Sequence, residues 1–429
     1  MQITELYQQY LNSSGISTDT RKIEKGKIFF ALKGENFNGN LFAEEAIKSG
    51  ASLVIVDEAI FAQQEKMVVV EDALETLQQL ALHHRKALQL KVLAICGSNG
   101  KTTTKELIAR VLETRHKIFS TKGNFNNHIG VPLTLLAIPA GTEIAIIEIG
   151  ANHLEETTLL CKIAAPDYGL ITNNGKDHLE GYGSIEGVRK GNGELYDYLR
   201  ENKGTAFVCM DQPDLMERSE GLNRITYGET TSADYCGTIR ATFPFLKIYL
   251  PNSHAEIETL LMGSYNFDNI MAAVAVGNFF GITTSQVAQA IASYIPSNNR
   301  SQLLQKDGNT FILDAYNANP SSMQAALLNF TQLPSENKVL ILGDMLELGA
   351  SSEKEHSEII QSIDQKKFRY IIFVGKEFGK AMNGSIPAAL HFENVMKLRN
   401  WFEEQHFSDH YFLLKGSRLI GLEKLVATQ

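Results

Sequence analysis

Short continuous apolar runs recur along the chain, and longer amphipathic runs of helical length separate them. Runs such as Leu53–Val56, Ile144–Ile149 and Tyr370–Val374 lack the apolar–polar alternation of a strand with one wet face, which is typical of parallel strands buried on both faces. The stretches between them, for example Ala73–Arg85 and Ser321–Leu333, have the spacing of helices. This order predicts βαβ units, and therefore an α/β fold with parallel sheets.

The alternation is interrupted at two places, so we predict three α/β domains in series. The polar stretch His83–Gln89 comes before the strongest apolar strand, and the turn-rich Pro296–Asn299 comes before a new series of strands. Between Tyr235 and Leu261 helical runs stop, and the β-like runs there predict an antiparallel appendage. We place a small N-terminal α/β domain, a central P-loop parallel-sheet domain and a C-terminal Rossmann-like domain at residues 1–88, 89–298 and 299–429.

Composition narrows the class of protein. The 429 residues include 40 basic and 49 acidic side chains, and the resulting net charge of −9 disfavours nonspecific binding to nucleic acid. The four cysteines are scattered without a CxxC pair, which argues for a reducing compartment and against a zinc site. The N-terminus lacks the pattern of a signal peptide, and no apolar stretch approaches the roughly 20 residues of a membrane helix. We therefore expect a cytoplasmic protein without nucleic-acid partners or membrane insertion.

The strongest chemical signal is the stretch Lys91–Glu106, KVLAICGSNGKTTTKE. An apolar strand is followed by a glycine-rich turn and then by a helix that begins near Lys101. Glycines let backbone N–H groups converge on anionic oxygens, the helix N-terminus adds partial positive charge, and a Lys-Thr pair supplies a phosphate ligand and a Mg²⁺ ligand. The alternative is a glycine-rich turn that binds nothing. We predict a P-loop whose phosphate-binding residues are Gly97, Ser98, Asn99, Gly100, Lys101, Thr102 and Thr103.

Two side chains downstream of the P-loop are candidate metal ligands. Glu148 ends the apolar run IAIIEIG, and His178 follows the next predicted strand, Tyr168–Thr172. Side chains at the carboxyl ends of parallel strands meet in one crevice, where a carboxylate and an imidazole suit a divalent ion beside phosphates. The alternatives are a carboxylate at a helix N-terminus for Glu148 and a hydrogen-bonded loop residue for His178.

Three further loops carry polar side chains at predicted strand ends. The loop GNFNNHIG contains Asn126 and Asn127 and is either a binding loop or a simple turn. Asp314 ends a strand in LDAYNANPSS, where it is placed to accept from a ribose hydroxyl; a turn in which Ser321 or Ser322 caps the next helix is the alternative. The segment LLKGSR is either a grip for carboxylate or phosphate, through Lys415 and Arg418, or a solvated basic turn.

Taken in order, these stretches resemble the ATP-dependent Mur ligases of bacterial cell-wall synthesis. The resemblance rests on GSNGKTTTKE, GNFNNHIGVPLTLL, IEIGANHLEE, KDHLEGYGS, YNANPSSM, LGDMLELG and LLKGSR, with YNANP and LGDMLELG as the most specific pair. These versions are most similar to those of the members that join D-alanyl-D-alanine to UDP-N-acetylmuramoyl-tripeptide. The N-terminal STDTRKIEKGKIFFALKGENFNG resembles the uridine-nucleotide domain of the family.

The resemblance implies a set of roles. Lys101, Arg300 and His178 would be catalytic, with Arg300 reaching the γ-phosphate of ATP. Mg²⁺ would be held by Thr102, Glu148 and His178, adenine would contact Asn269, and ribose would contact Asp314. Substrate-binding residues would be Thr18, Asp19, Thr20 and Arg21 for the UDP-sugar, and Asn126, Asn127, Asn317, Asn319, Lys415 and Arg418 around the peptide ends.

The implied reaction is amide ligation through an acyl phosphate, with ADP and phosphate as the other products. The implied partners are UDP-N-acetylmuramoyl-tripeptide and D-alanyl-D-alanine, the cofactors are ATP and Mg²⁺, and we expect a monomer. Two alternatives stay open: a sister Mur ligase with a different amino-acid acceptor, and a degenerate nucleotide-binding switch protein.

The sequence departs from the family pattern at three places. Asn192 stands where the family usually has a lysine whose carbamate binds a second Mg²⁺, and an amide oxygen is a poorer ligand for a hard dication. Tyr265 replaces a usual histidine, and Asn38–Asn40 replaces a DGH-like motif. These departures bear on the metal geometry and the uridine contacts.

Overall fold

The computed structural model describes residues 1–297, 299–382 and 386–426. Its first unit contains a parallel four-stranded sheet in the order β1–β2–β5–β6, a short β3–β4 hairpin, and helices that pack on the sheet. The elements are α1 (Ile3–Leu11), β1 (Ile16–Ser17), β2 (Ile28–Phe30), β3 (Lys33–Gly34), β4 (Phe37–Asn38), α2 (Ala43–Lys48), β5 (Leu53–Val56), β6 (Met67–Val69) and α3 (Ala73–Leu88).

The central unit is built on a seven-stranded parallel sheet in the order β13–β12–β11–β10–β7–β9–β8, followed by the predicted antiparallel appendage, β14–β15–β16. Its elements are β7 (Lys91–Cys96), α4 (Lys101–Leu112), β8 (Ile118–Ser120), α5 (Gly130–Leu136), β9 (Ile144–Glu148), α6 (Glu156–Ala164), β10 (Tyr168–Ile171), α7 (Leu179–Tyr182), α8 (Ile185–Glu201), β11 (Thr205–Cys209), α9 (Pro213–Arg218), β12 (Asn223–Gly228), β13 (Tyr235–Cys236), β14 (Thr238–Ala241), β15 (Lys247–Leu250), β16 (Ala255–Glu258), α10 (Phe267–Phe279) and α11 (Thr284–Ala292).

The last unit has a six-stranded sheet in the order β17–β18–β22–β19–β20–β21, in which the edge strand β17 is antiparallel and the other pairings are parallel. Its elements are β17 (Gln302–Lys306), β18 (Asn309–Asp314), α12 (Pro320–Thr331), β19 (Lys338–Gly343), α13 (Ser352–Ser362), β20 (Tyr370–Val374), α14 (Lys376–Ala381), β21 (Leu390–Phe392), α15 (Val395–Glu404) and β22 (Tyr411–Lys415).

The polar stretch His83–Gln89, near which we place a domain boundary, forms the last turns of α3, which ends at Leu88 with Gln89 in the left-handed conformation. His84 and Arg85 on this helix are buried. One apolar cluster runs from α1 and β2 through α3 into the central unit, where it includes residues of β7, α5 and α6. The first and central units therefore share a continuous core.

The order of the central strands creates a crevice. From β7 the chain passes to β8 and β9 on one side and then to β10 on the other side of β7. The loops after β7, β9 and β10 diverge at this reversal, and ligands of open parallel sheets bind at such switch points. Within the residues that the structure describes, no helix is both long enough and apolar enough to cross a membrane.

Candidate active site

The P-loop lies between the end of β7 and the start of α4. Gly97 and Gly100 have φ of +121° and +80°, values that favour glycine. A Cβ on Gly100 would lie 2.5 Å from Asn269 Oδ1, so a side chain cannot be added there without displacing the side chain of Asn269. The loop is thus held in a tight turn with its backbone exposed toward the crevice, as a phosphate-binding loop requires.

Side chains from the loop after β10 tie the P-loop in place. Ser98 Oγ donates to Asp177 Oδ1 at 2.6 Å, and the backbone N–H of Asn99 donates to Asn173 Oδ1 at 3.1 Å. Lys101 Nζ donates to the carbonyls of Gly97 and, at 3.2 Å, of Ser98. The lysine head is therefore held directly over the loop, where a phosphate bound by the loop would lie within its reach.

Thr102 and Glu148 form a buried pair of oxygen-bearing side chains next to the P-loop. Thr102 Oγ1 donates to Glu148 Oε2 at 2.9 Å, and both residues are buried. Asn126 Nδ2 donates to Glu148 Oε1 at 2.9 Å, and the buried Lys105 Nζ lies 3.6 Å from Oε2. A hydroxyl and a carboxylate beside a phosphate loop are the hard ligands that Mg²⁺ prefers, so these residues fit the ion.

His178 is held from the C-terminal unit. It has a left-handed backbone, with φ of +45°, and its Nδ1 lies 2.6 Å from Glu347 Oε2. The contact with His178 lowers the pKa of the Glu347 carboxyl. Glu347 also has a left-handed backbone, and its carbonyl accepts from the N–H of Glu180 at 3.2 Å. Two non-glycine residues in this conformation mark a strained contact between the units.

The P-loop, Glu148 and His178 open into one cavity of about 1010 Å³ between the central and C-terminal units. Asn319 Nδ2 donates to Asn99 Oδ1 at 2.8 Å across this cavity, and Lys176 Nζ pairs with the buried Glu355 at 2.8 Å beside it. The predicted site residues that line it are Ser98, Asn99, Gly100, Lys101, Thr102, Thr103, Asn126, Asn127, Glu148, His178, Asn269, Arg300, Asp314, Asn317, Asn319 and Lys415. The cavity lining does not include Gly97, Thr18, Asp19, Thr20, Arg21 or Arg418.

Asn269 lies directly behind the P-loop. Its Oδ1 accepts from Thr104 Oγ1 at 2.9 Å, and its Nδ2 donates to Asn266 Oδ1 at 3.0 Å. Both amide atoms therefore have protein partners, so Asn269 links α10 to α4 in addition to lining the cavity.

The C-terminal wall is built on the end of β18. Asp314 Oδ2 accepts from the buried Lys415 Nζ at 2.6 Å, so the lysine of LLKGSR is engaged by a carboxylate of its own unit. Tyr316 follows, with the guanidinium carbon of Arg300 3.7 Å from the centre of its ring and that of Arg418 at 5.2 Å.

The prediction that Ser321 or Ser322 caps α12 is wrong. Asn319 is the N-cap: its Oδ1 accepts from the N–H of Ser322 at 2.8 Å, and Ser322 Oγ accepts from the N–H of Asn319 at 3.1 Å. The reason is Pro320, which occupies the first helical position, where its missing N–H costs nothing, so the cap must be the residue before it.

The predicted uridine-binding segment lies in the first unit, outside the cavity. Asp19 Oδ1 accepts from both the backbone N–H and Nε of Arg21, and this ion pair lowers the pKa of the Asp19 carboxyl. The Arg21 side chain is 84% exposed, so its outer face is accessible to a ligand.

Comparison with known proteins identifies the family. Family models match over most of the chain: the Mur ligase family catalytic domain at residues 12–85, the Mur ligase middle domain at 95–277 and the Mur ligase glutamate ligase domain at 299–418. The chain belongs to the Mur ligase family. The UDP-N-acetylmuramoyl-tripeptide–D-alanyl-D-alanine ligase of Bacillus subtilis (strain 168) is 35% identical over 96% of this chain and 92% of its own length. The enzyme of the same name from Escherichia coli (strain K12) is 32% identical over 98% and 95%.

Solved structures agree with these matches. The crystal structure of MurF from Acinetobacter baumannii superimposes with a TM-score of 0.88 and 30% identity, covering 98% of this chain and 97% of that one. MurF from Thermotoga maritima in complex with ADP gives a TM-score of 0.87 and 25% identity, with 97% of both chains covered. The three-domain α/β architecture predicted from the sequence is confirmed.

Asn192, the departure from the Mur ligase pattern, is buried on α8. Its Nδ2 donates to Asn174 Oδ1 at 2.8 Å, and Asn174 Nδ2 donates to Asp214 at 2.8 Å. The neighbouring Lys190 is exposed. The amide at 192 is thus one member of a hydrogen-bonded chain behind the cavity. Tyr265, the second departure, donates to or accepts from Ser301 Oγ at 2.9 Å, and burial raises its pKa.

Several residues of this Mur ligase site were missed in the sequence. Asp177 and Asn173 hold the P-loop, Glu347 contacts His178, and Tyr316 lies against Arg300. Asp177 and Tyr316 stand next to predicted site residues in KDH and DAYNAN, which is the signal that could have identified them. Glu347 lies in LGDMLELG, for which the residues alone suggested no chemistry.

Proposed function

We propose that this Mur ligase joins D-alanyl-D-alanine to UDP-N-acetylmuramoyl-tripeptide, with ATP converted to ADP and phosphate, in peptidoglycan precursor synthesis. The supporting observation is one crevice that gathers a P-loop, a buried carboxylate–hydroxyl pair and an arginine from the opposite unit, in a chain similar to enzymes of that name over almost its full length. Such a crevice suits the transfer of a phosphoryl group.

The first chemical step would be attack of the terminal carboxylate of the tripeptide on the γ-phosphorus of ATP, with the bond to ADP breaking. Lys101 and Arg300 would neutralise the charge of the moving phosphoryl group from opposite walls of the cavity. Mg²⁺ held by Thr102, Glu148 and His178 would supply further charge neutralisation on the phosphate oxygens. Asn269 and Asp314 would contact adenine and ribose.

The second step would be attack of the dipeptide amine on the acyl carbon of the resulting acyl phosphate. The C–O bond to phosphate breaks, the amide forms, and one proton of the amine is released. The acyl phosphate reacts with water, so the cavity must be closed during the reaction. Contacts of Asn319 with Asn99 and of Lys176 with Glu355 lie where such a closure is needed.

The same proposal extends to organisation and partners. We propose domain boundaries at 1–88, 89–298 and 299–429, with the first unit holding the UDP-sugar through Thr18, Asp19, Thr20 and Arg21. Asn126, Asn127, Asn317, Asn319, Lys415 and Arg418 would surround the two peptide ends. We further propose a cytoplasmic monomer that does not bind nucleic acid.

Phosphate release by the purified chain tests the proposal. We expect release from ATP only when both UDP-N-acetylmuramoyl-tripeptide and D-alanyl-D-alanine are present; rapid ATP turnover without them would contradict it. A screen of single amino acids, diamino acids included, against the dipeptide separates a sister ligase from the proposed one. If the chain binds ATP but forms no peptide product with any acceptor, the switch-protein alternative holds.

Lys101→Met tests the role of the P-loop lysine. We expect at least about a 100-fold loss of turnover, since the lysine supplies charge in the transition state. Its melting temperature should stay close to that of the wild type, because within the described part of the chain Lys101 Nζ donates only to carbonyls of its own loop. Lys122→Met, an exposed lysine outside the cavity lining, is the control. A large loss of stability in Lys101→Met would mean that the loop residue is structural.

A further inference from the structure

Two arginines approach one aromatic ring at the C-terminal wall of the cavity. The guanidinium carbon of Arg300 lies 3.7 Å from the centre of the Tyr316 ring, and that of Arg418 lies 5.2 Å from it. Neither guanidinium forms an ion pair with a carboxylate of residues 1–297, 299–382 or 386–426. Arg300 Nε is sealed from solvent without a hydrogen-bond partner there. Arg300, a cation of the cavity lining without such a partner, makes this wall a place for an anion, and Arg418, which is exposed and outside the lining, contacts the same ring.

The contact with the ring determines which part of Arg300 stays free. At 3.7 Å the guanidinium carbon is in van der Waals contact with the ring face. A guanidinium stacks on aromatic rings through its flat face, while its five N–H donors point outward in its own plane. Stacking therefore restricts rotation of the head group without using the donors that bind a phosphate.

The backbone that carries Arg300 is anchored to the strand that carries Tyr316. The N–H of Ser301 donates to Asp314 Oδ1 at 3.4 Å, and Ser301 Oγ is bonded to Tyr265 at 2.9 Å. Asp314, in turn, is fixed by the buried Lys415. Arg300 is thus held at its backbone by the end of β18 and at its head by Tyr316.

We propose that Tyr316 is a positioning residue for Arg300. Its ring holds the guanidinium so that the N–H edge faces the terminal phosphoryl group of ATP, and Arg418 on the same ring adds positive potential. This inference rests on the proposed function, in which Arg300 reaches the γ-phosphate. A ring that instead packed only against the protein, or only against the nucleobase, would not discriminate ATP from ADP.

The test compares Tyr316→Phe with Tyr316→Leu in the full chain. The affinities for ATP and ADP are measured by calorimetry, and kcat by phosphate release. Phe keeps the ring, so we expect wild-type preference for ATP and a kcat within about twofold of wild type. Leu removes the cation–π contact, so we expect kcat to fall about 2- to 30-fold and the preference for ATP over ADP to shrink by a similar factor.

Two further variants make the result decisive. In an Arg300→Met background, Tyr316→Leu should cost less than about twofold, because the cation that the ring positions is gone. Tyr249→Leu is the matched control: it removes a ring that lies 4.7 Å from Arg240 in the antiparallel appendage, and should change neither kcat nor the ATP preference. If Tyr316→Leu lowers the melting temperature, Tyr316→Met, whose long side chain fills the space of the ring, replaces it. Nucleotide affinities are then compared between the two Arg300 backgrounds in the same way.

An unchanged ATP preference in Tyr316→Leu, or an equal cost in both Arg300 backgrounds, would overturn the inference. The proposed function can fail separately. Suppose that the wild-type chain forms no amide from the tripeptide and the dipeptide, but that its preference for ATP over ADP depends on the Tyr316 ring. That result would contradict the proposed function and would still support the role of Tyr316.

Discussion

Arg85 is the side chain that most directly joins the first unit to the central one. Its guanidinium donates to the carbonyls of Leu90, Ala164 and Ala165 at 2.9, 3.3 and 3.0 Å, and to Asp167 Oδ2 at 2.8 Å. Arg85→Met keeps most of the aliphatic stem and removes these bonds. Leaving three carbonyls without their donor costs about 1 kcal/mol each, and the ion pair adds only about 0.5 kcal/mol because Asp167 is 48% exposed. We therefore expect a loss of about 3.5 kcal/mol, or roughly 300- to 400-fold in the unfolding equilibrium of this region.

Two optical signals separate a local effect from a global one. The single tryptophan, Trp401, lies on α15 of the C-terminal unit, so its fluorescence reports on that unit, whereas far-ultraviolet circular dichroism reports on all the helices. In a urea titration followed by dichroism, we expect Arg85→Met to lower the urea concentration at which the first and central units unfold. The unfolding transition followed by Trp401 fluorescence should keep its wild-type midpoint. Arg110→Met removes an exposed arginine with one bond, to Ser293, and is the control. A dichroism midpoint for Arg85→Met that equals that of the control would refute the reasoning.

Two further predictions concern pH and the P-loop. Burial lowers the pKa of His84 and His356, and His356 Nε2 accepts from the N–H of Met345 at 3.0 Å, so both imidazoles favour the neutral form in the folded chain. As the pH falls, the unfolded chain binds these protons first, with a pKa near about 6.5, so thermal stability should be flat above pH 7 and fall below about pH 6.5. A melting temperature that rises on acidification would contradict this prediction. Gly100→Ala should lose more stability than Gly141→Ala and should also weaken ATP binding. Both glycines have φ near +80°, but only at Gly100 would the added Cβ clash with Asn269. Equal melting temperatures and equal ATP affinities for the two variants would contradict this prediction.

The buried strands could be located from the sequence because each is a continuous apolar run. Leu53–Val56 and Tyr370–Val374 have the predicted bounds. The strands that were missed are short or lie at edges, such as Ile118–Ser120 and the antiparallel Gln302–Lys306, in which each residue is at least partly exposed. An edge strand is specified by its pairing partner, which the local sequence does not reveal.

The site residues at the strand ends of one sheet could be predicted from the sequence, but the contacts between separate loops could not. Lys101, Thr102 and Glu148 follow apolar strands of one sheet, so the rule for parallel strands places them together. The contact of His178 with Glu347 joins loops of different units, and that of Arg300 with Tyr316 joins the two ends of the β17–β18 hairpin. Neither contact leaves a periodic pattern in the sequence. The stretch His83–Gln89 is a further example. Its polar residues suggested a domain boundary nearby, but they did not reveal that His84 and Arg85 are buried with specific partners.

The two contacts of the central unit differ in kind, and this difference determines which part of the molecule can move. The first unit shares a continuous apolar core with the central unit, and Arg85 adds four polar bonds to it. The C-terminal unit meets the central one through polar contacts such as Asn99 with Asn319 and Lys176 with Glu355, and Met262, Leu179 and Phe245 add apolar contacts. Polar contacts exchange with water at less cost than a continuous shared core does. We therefore expect the distance from the exposed Arg21 to the P-loop to stay fixed, and any opening of the cavity to move the C-terminal unit that carries Arg300 and Tyr316.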